Sequence, residues 1–413
     1  MPESIKLSRR AFLVQSSVAG AGLLLGFHLP VQRKLAAAPL DSAGADQAVE
    51  VNAWIEIHPD NSVLIRVARS EMGQGIFTAL PMLVAEELDC DWSKVRAEYA
   101  SASENRRRDN VFQSMSTGGS RSVRGSQDYL RMAGAVTREL LVTAAAARWK
   151  VPFAECQAAN SVITHVPSGR TLDFGAVAAA AAQLEPPVEV FLKEPEEWRL
   201  LGTPVKRLDV PDKIAGKPVF GTDVAMPGLL HAAIRACPVF GGRLQHHDAA
   251  AIEKRPGVVQ VVALEDAVAV VAESWWQAQQ ALQALPVTWD EAGHGAVDDA
   301  AIRADLEAGL AADKAVVMAE HGKPDAALSS SVKQIGATFH APYLAHATME
   351  PMMCTAAVHQ DGRVEVWVPT QNASASLDAA ARVAGVDAQQ VTVHNTQLGG
   401  GFGRRGANQD YTG

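Results

Sequence analysis

The sequence predicts an α+β protein in which two related parts flank a separate middle domain. Short β-branched strands alternate with amphipathic helical segments, and one order of elements occurs near the start and again near the end. Prolines at positions 186, 187 and 195 mark a change of character between the two parts. With 413 residues, of which 48% are hydrophobic and 20% charged, the chain can form two or three packed domains.

The first part begins with a predicted strand pair. Residues 54–58 and 63–67 are apolar runs on either side of the turn Pro59 to Asn61. The elements that follow are a loop at Glu71 to Gly75, a helix over 78–88, a strand over 95–99 and a Ser/Gly-rich loop over 114–122.

The same order of elements returns late in the chain. Its members are strands over 354–359 and 363–368, a polar loop at Thr370 to Asn372, a helix over 374–383, a strand over 391–394 and a glycine loop over 399–403. The repetition indicates a duplicated unit. We therefore expect the glycine loops of the two halves to line one shared cleft.

A separate α/β domain is predicted over 201–290, after two helices over 125–150 and 176–184. Its elements are strands over 229–236, 258–263, 267–272 and 287–289, and a helix over 274–284. Trp275 and Trp276 belong to that helix and are expected in the core. Residues 291–330 are expected to cross the surface as a polar, Ala-rich connection.

Composition and charge exclude some classes of function. The formal net charge is -9 and the pI about 5.8, which does not favour a nucleic acid as partner. The dense basic run Arg106 to Arg108 lies beside acidic residues, so it is expected in a solvated loop. The cysteines are Cys90, Cys156, Cys237 and Cys354. They form no C-x-x-C pair, so any electron-transfer cluster must be on another chain.

Residues 1–40 are predicted to be an export signal. Arg9 and Arg10 precede Phe12, a mildly apolar stretch follows, and Ala36 to Ala38 offer a cleavage site. Paired arginines of this kind resemble a twin-arginine signal, which carries folded proteins, commonly with their cofactor, to the periplasm. An ordinary secretory signal and a signal retained as a membrane anchor are the alternatives.

The strongest local motif is the glycine loop Gly399 to Arg405. Consecutive glycines let backbone N–H groups point into one concavity that binds phosphate or oxo groups, and the arginines are expected to add positive charge. Gly401, Gly403 and Gly406 also match a dinucleotide fingerprint, so a nicotinamide-dependent dehydrogenase is an alternative. The helix and acidic residue that such a unit requires do not follow.

Two further loops carry glycine with polar side chains. Gly73, Gln74 and Gly75 precede a helix, where Gln74 and the neighbouring N–H groups can meet an anionic or heteroaromatic ligand. Residues 116–122 precede the long helix, whose N-terminus favours anions. Taken singly, these loops are equally typical of helix entry and capping. Three such loops in one chain favour a large polyanionic cofactor.

His346 and Glu350 lie four residues apart. No second histidine stands at metal-binding spacing, so we expect no metal ligands there. A carboxylate that orders the pocket or bonds the backbone is the favoured interpretation of Glu350. Serine-hydrolase chemistry is not indicated, because the chain has no G-x-S-x-G segment.

Together these segments resemble the large, molybdenum-cofactor-binding subunit of the xanthine oxidase family of molybdenum hydroxylases. The order of the motifs resembles the isoquinoline 1-oxidoreductase and periplasmic aldehyde dehydrogenase branch. The resemblance implies a permuted molybdopterin-binding domain with an inserted α/β hammerhead domain, whose entry lies at Leu201 to Asp223. The implied parts are a signal over 1–40, a first part of the cofactor domain over 41–198, the hammerhead domain over 199–295 and a second part over 296–413.

The resemblance implies molybdopterin cytosine dinucleotide as cofactor. The residues implied to surround it are Gly73, Gln74, Gly75, Thr117, Gly118, Gly119, Ser120, Ser122, Gly400, Gly401, Phe402, Gly403 and Arg404. Phe402 is implied to lie beside the molybdenum oxo group. The implied reaction hydroxylates an electron-poor carbon of a small-molecule substrate, an N-heterocycle or an aldehyde, with oxygen from water. Electrons pass to a small [2Fe-2S] subunit, with a cytochrome c as a further candidate acceptor.

One departure from the family pattern concerns the catalytic base. Members use a glutamate in a Gly-Glu-Pro-like segment near the C-terminus, and no such segment occurs here. The second repeat also stops at its glycine loop. We therefore expect that roughly 300 residues of a normal member are missing, that no catalytic residue is present and that the chain alone is inactive. The alternative function is a truncated, non-catalytic fragment that binds the cofactor or a partner.

Overall fold

The computed structural model describes residues 47–310, 312, 316–406 and 408–413. The predicted export signal lies outside these residues. The described residues form two compact units: unit 1 holds those up to Val224 together with those of His346–Gly413, and unit 2 holds those of Ala225–Ala345. The mixture of helices and small sheets confirms the predicted α+β class.

Unit 1 contains ten strands and six helices among the described residues. The strands are β1 Val49–Asn52, β2 Ile55–Ile57, β3 Val63–Val67, β4 Val95–Tyr99, β5 Cys156–Ala159, β6 Val162–His165, β7 Arg170–Asp173, β13 Thr355–Val358, β14 Val364–Val368 and β15 Val391–Asn395. The helices are α1 Ile76–Leu88, α2 Ala102–Arg107, α3 Gln127–Trp149, α4 Phe174–Ala181, α5 Val210–Ile214 and α9 Ala373–Ala384.

The duplicated layout is present in the structure. In the first copy, β2 pairs antiparallel with β3, and β3 pairs parallel with β4 after helix α1. In the second, β13 pairs antiparallel with β14, and β14 pairs parallel with β15 after helix α9. Both copies place a short 3-10 turn before the last strand, at Trp92–Lys94 and Ala388–Gln390. Two parallel neighbouring strands must be joined by a crossover connection, which is helix α1 in the first copy and helix α9 in the second. The polar loop between strand and helix therefore falls at the same sheet edge in each copy.

Burial alternates along both central strands. β3 and β14 share one pattern, in which the first, third and fifth residues are buried, as expected for strands with one face on a core. Both strands contribute to one hydrophobic cluster that also includes helices α1, α3 and α9. Helices α1 and α3 approach closely at Gly134, where a Cβ would overlap the carbonyl oxygen of Val84.

Several elements of unit 1 differ from the sequence prediction. The three-stranded antiparallel sheet β5-β6-β7 was not predicted, because its strands are short and half polar. The predicted solvated loop at Arg106 to Arg108 is wrong: Arg106 and Arg107 lie in helix α2, which begins after the capping residue Ser101. Arg106 pairs with Asp378 rather than with water alone.

Unit 2 contains two small sheets and three helices among the described residues. The strands are β8 His231–Ala236, β9 Arg243–His247, β10 Val258–Ala263, β11 Ala267–Ala272 and β12 Val287–Asp290, and the helices are α6 Trp275–Ala284, α7 Asp299–Leu310 and α8 Pro324–Ser330. The sheets have the orders β10-β11-β8 and β12-β9. Helices α7 and α8 occupy part of the predicted connection.

The prediction that Trp275 and Trp276 lie in the core is wrong. Their exposed fractions are 55% and 65%. The apolar stripe that helix α6 buries begins one turn later, at Ala278, and continues to Leu282. Membership of an amphipathic helix was therefore not enough to predict that these two rings are buried.

The boundaries of unit 2 differ from the predicted middle domain at 199–295. Residues 199–201 are fastened to unit 1, because the buried carboxylate of Glu86 accepts hydrogen bonds from the N–H groups of Arg199, Leu200 and Leu201 at 2.7 to 3.2 Å. Unit 2 begins at Ala225, and the domain bounds 199–295 stay a prediction. Within the described part of the chain, no helix combines the length and apolarity needed to cross a bilayer.

Candidate functional site

The polar loops of the two copies meet in unit 1. Ser70 follows β3, and its Oγ donates a hydrogen bond of 2.7 Å to the carbonyl oxygen of Thr370, which follows β14. Thr117 joins both loops: its N–H donates to the Gln371 carbonyl at 2.7 Å, and its Oγ1 accepts from the Ser70 N–H at 2.8 Å. The Gln371 Nε2 donates back to the Thr117 carbonyl at 2.9 Å. The repeated layout thus brings these loops into contact, while the shared cleft expected for the two glycine loops stays a prediction.

The glycine loop over 399–403 lies against the same cluster. The Gly403 N–H donates to the Gln371 Oε1 at 3.0 Å. A Cβ on Gly401 would lie 2.5 Å from the Met72 Sδ and 2.9 Å from the Gln371 Oε1, so these side chains lie close against the glycine loop. The three glycine-bearing segments and Gln371 therefore form one site, which we call the loop junction.

A buried arginine organises the glycine loop from behind. The Arg405 side chain is fully buried and donates to the carbonyl oxygens of Gly400, Pro369, Glu350 and Pro351 at 2.7 to 3.2 Å. Burial lowers the pKa of this guanidinium, and the carboxylate of Glu350 opposes that effect. Because every guanidinium nitrogen is used inside the protein, the expectation that Arg405 adds positive charge for a ligand is wrong.

Glu350 connects the glycine loop to a distant segment. One carboxylate oxygen accepts from the Gly221 N–H at 2.8 Å, the other from the Gly399 N–H at 2.9 Å, and the latter lies 3.3 Å from Arg405. A Cβ on Gly399 would overlap the Glu350 side chain, so the two segments are in close contact. The prediction that Glu350 bonds the backbone is confirmed.

The neighbouring Arg404 has a different environment. It forms a two-bonded ion pair with Asp410, at 2.8 and 2.7 Å, and this carboxylate raises the pKa of the guanidinium. The Asp410 side chain is 61% exposed, so the pair lies at the surface. Its charge is thus largely balanced within the chain.

Phe402 is presented to solvent by a strained turn. Its ring is 69% exposed and its φ is +54°, in the left-handed region that non-glycine residues rarely adopt. Gly400 and Gly403 on either side also have positive φ, of 108° and 88°. A large apolar ring that is exposed on a strained backbone is the kind of feature found at ligand-contacting sites.

The Gly-Gln-Gly loop does not offer the anion site that the sequence suggested. The buried carboxylate of Glu71 already accepts the N–H groups of Gly73, Gly75 and Phe77, at 2.8 to 3.1 Å. These are the donors at the start of helix α1, so a ligand anion would have to displace Glu71. Gln74 is exposed and bonds its own loop, accepting from the Met72 N–H and donating to the Ser70 carbonyl. One amide N–H and one lone pair of Gln74 stay available.

The Ser/Gly loop divides into an anchored and an open part. Thr117 is 4% exposed and holds the loop junction, whereas Gly118, Gly119 and Ser120 are exposed and Ser122 is half-buried. Arg69 supports the loop from inside by donating to the Ser116 carbonyl.

Gly118 is unusual among these residues. A Cβ there would meet nothing within 4 Å, and its φ lies outside the positive range. Neither the backbone nor a protein neighbour therefore requires glycine at this position.

Sequence reasoning missed the carboxylates and arginines that organise the site. Glu71, Arg69 and the structural role of Arg405 were not predicted, because each acts on backbone groups that only the fold brings near. For Glu71, the one signal that the sequence offered was its position as an acidic residue directly before the loop of Met72 to Gly75. Within the described residues, no group of three or more His, Cys, Asp or Glu side chains is placed to hold a metal ion.

The chain is similar to several known proteins. Models of the molybdopterin cofactor-binding domain match residues 19–212 and 310–412. The chain is 31% identical to isoquinoline 1-oxidoreductase subunit beta of Brevundimonas diminuta, over 98% of this chain and 57% of that protein. It is 32% identical to the membrane-bound aldehyde dehydrogenase (pyrroloquinoline-quinone) of Gluconacetobacter polyoxogenes, over 99% of this chain and 53% of that protein. The crystal structure of quinoline 2-oxidoreductase from Pseudomonas putida 86 aligns with TM-score 0.40 and 21% identity, over 49% of this chain and 31% of that one.

The matches to the molybdopterin cofactor-binding domain define the class of protein. The two domain matches carry one description and together span more than half of the chain. The chain belongs to the molybdopterin cofactor-binding large subunits of the xanthine oxidase family. It spans about half the length of the curated relatives it matches, at 57% and 53% of their sequences.

Proposed function

We propose that this chain contributes the cofactor-binding wall of a molybdenum hydroxylase, and that the loop junction holds molybdopterin cytosine dinucleotide. The open Gly118 beside Thr117, which anchors the loop junction, is the observation that carries the proposal. At this junction, a glycine without a side chain leaves room for a ligand to approach the backbone. The matches to molybdopterin cofactor-binding domains support a molybdopterin in this place, and its cytosine dinucleotide form is part of the proposal.

The residues of the loop junction fit such a cofactor. A Cβ would also meet open space at Gly73 and Gly403, so three loops leave room in front of their backbones. Gln74 keeps one donor and one acceptor for a pterin edge, and Ser120 adds an exposed hydroxyl. The exposed ring of Phe402 supplies an apolar surface that would limit water on its side. Anion binding is assigned to Gly118 to Ser122 rather than to the Gly-Gln-Gly loop, because Glu71 occupies the N–H groups there.

When bound, the cofactor supplies oxidative hydroxylation of an electron-poor carbon with oxygen from water. The side chains of this chain bind and orient it: Thr117 and Gln371 fix the spacing of the loops, and Arg405 with Glu350 fixes the glycine loop. The substrates proposed are N-heterocycles or aldehydes, in line with the names of the two relatives.

Electron transfer is proposed to use a small [2Fe-2S] subunit, with a cytochrome c as a further acceptor. The four cysteines of the chain are free and separate, which agrees with a cluster held on another subunit. The relative from Brevundimonas diminuta is named as a subunit beta. Arg9 and Arg10 support export of the folded, loaded protein to the periplasm, and their replacement by lysine is expected to abolish export.

The substitution Gly118→Ala tests the proposal. The added methyl group enters the space assigned to the cofactor, at a cost of about 1–3 kcal/mol, which corresponds to an affinity roughly 5- to 150-fold lower. Molybdenum is measured by elemental analysis and the nucleotide released from the cofactor by chromatography. Stoichiometric molybdenum in the wild-type protein with cytosine nucleotide is the expected result.

A matched control keeps this test specific. Gly309 on helix α7 also faces open space, so Gly309→Ala should leave the molybdenum content unchanged. Equal molybdenum in wild type and Gly118→Ala would refute the assignment of Gly118. A wild-type protein that carries no molybdenum in a host that makes the cofactor would refute the proposed function itself.

A further inference from the structure

Four charged side chains surround the base of the Gly-Gln-Gly loop, and the proposed chemistry uses none of them. They are Glu71, Arg207, Asp209 and Lys213, which we call the Glu71 cluster. Glu71 is 1% exposed, whereas Arg207 and Lys213 are about one-third exposed. The last three residues come from the segment of unit 1 that precedes Ala225, and Arg207 lies more than 130 positions from the loop in sequence.

Glu71 needs a partner to be buried. Its carboxylate fixes the loop by accepting three backbone N–H groups, but a buried charge without a counter-charge costs several kcal/mol. Arg207 supplies that charge, with its Nη2 at 3.0 Å from the Glu71 Oε1. Lys213 is farther away, at 3.9 Å from the same oxygen.

Arg207 also bonds the loop directly. Its Nη1 donates to the Gly73 carbonyl at 2.8 Å, so the guanidinium bonds both the carboxylate and the backbone of one loop. The position of a Cβ on Gly75 lies 3.9 Å from this guanidinium, so the arginine covers one side of the loop. A lysine has the charge but not the planar fork that makes both bonds at once.

Asp209 holds Arg207 in place. Its two oxygens accept from the Arg207 Nε at 2.8 Å and Nη2 at 2.6 Å, and Lys213 bonds the same carboxylate at 2.6 Å. Arg207 lowers the pKa of Asp209 to about 2. The Leu208 N–H donates to the Thr78 Oγ1 at 3.0 Å, which fixes the whole segment against helix α1.

We infer that Arg207 is a positioning residue for the Gly-Gln-Gly loop, acting through Glu71 and the Gly73 carbonyl to set the position of Gln74 toward the bound cofactor. This last step rests on the proposed function. The segment after residue 200 thus sets the geometry of the loop between β3 and α1 in the first copy. Met72, in the same loop, links it to the glycine loop, because the Met72 Sδ lies close against Gly401.

Hydrogen exchange of the full chain, combined with molybdenum analysis, tests this inference. The variants are Arg207→Met, Arg207→Lys and the control Arg66→Lys. Arg66 is also half-buried among carboxylates, Glu50, Glu56 and Glu98, but on the outer face of the first sheet. The wild-type chain serves as the reference for peptides that cover residues 71–78.

Both Arg207 variants should exchange these amides about tenfold faster, because the N–H groups that Glu71 accepts lose a fixed partner. Molybdenum content should fall in both variants, and the content of Arg207→Lys should lie between those of wild type and Arg207→Met. Arg66→Lys should leave loop exchange within about twofold of wild type. If Arg207→Met fails to fold, the comparison of Arg207→Lys with Arg66→Lys decides the outcome.

Three results would overturn the inference. One is unchanged loop exchange in the Arg207 variants, and another is equal acceleration over all of unit 1, which indicates a general loss of stability. The third is a faster loop with wild-type molybdenum content, which separates the loop from cofactor positioning. A wild-type chain without molybdenum contradicts the proposed function, but the exchange comparison still decides whether Arg207 orders the loop.

Discussion

Replacement of Arg405 by methionine should strongly destabilise unit 1. The side chain is fully buried, bonds four carbonyl oxygens and faces the 6% exposed Glu350. Arg405→Met leaves that carboxylate without its charge partner. Removal of one member of a buried pair costs about 3–5 kcal/mol, a large part of the ~5–15 kcal/mol that stabilises a typical domain.

Urea unfolding followed by far-UV circular dichroism measures this effect, and the adjacent arginine is the matched control. Arg404→Met removes an ion pair whose partner is 61% exposed, so its cost should stay below about 1 kcal/mol. The double variant Arg405→Met with Glu350→Gln should be less destabilised than the sum of the single variants, because both charges are then absent. Similar costs for Arg404→Met and Arg405→Met would refute the reasoning.

Three further outcomes are expected. Gly134→Ala should destabilise the protein by about 1–3 kcal/mol although alanine favours helices, because its Cβ would overlap the Val84 carbonyl; thermal unfolding measures this, and a raised melting temperature would contradict it. Asp209 has a pKa of about 2 in the folded protein against 3.8 as the ordinary value, so its contribution to stability is present at neutral pH and is lost as the pH falls through about 2. Urea midpoints between pH 5 and 2 should therefore fall less in Asp209→Asn than in wild type, and parallel curves would exclude this role. Burial raises the pKa of the Cys354 thiol to about 12, so alkylation at pH 8 should require unfolding; rapid labelling of the native chain, seen by mass spectrometry, would contradict the burial.

Much of the fold was accessible from local sequence pattern. The strands at 63–67, 95–99, 258–263 and 267–272 have the predicted bounds, because β-branched runs with clear turns specify them locally. The sheet β5-β6-β7 was missed because its short strands carry polar residues on both faces. Trp275 and Trp276 were misjudged because burial depends on what an element packs against, which periodicity does not report.

The candidate site could be predicted only in outline. The repeated order of elements led to the expectation of one cleft shared by the glycine loops of the two halves. The structure shows hydrogen bonds between loops of the two copies, since equivalent crossovers end at equivalent sheet edges. The groups that set their geometry were not visible, because Glu71 and Arg207 are far apart in sequence and act on backbone donors. Charge alone was misleading for Arg405, since a guanidinium in a glycine-rich segment can serve the protein interior as well as a ligand.

The contact of Glu350 with Gly221 has a consequence for how such a protein can be rebuilt. These residues border the two crossings between unit 1 and unit 2, and the 2.8 Å hydrogen bond between them closes the base of the intervening segment. An insertion whose ends already meet adds little closure entropy to the host. A replacement of the middle unit would therefore start from two chain ends that this hydrogen bond already holds close together.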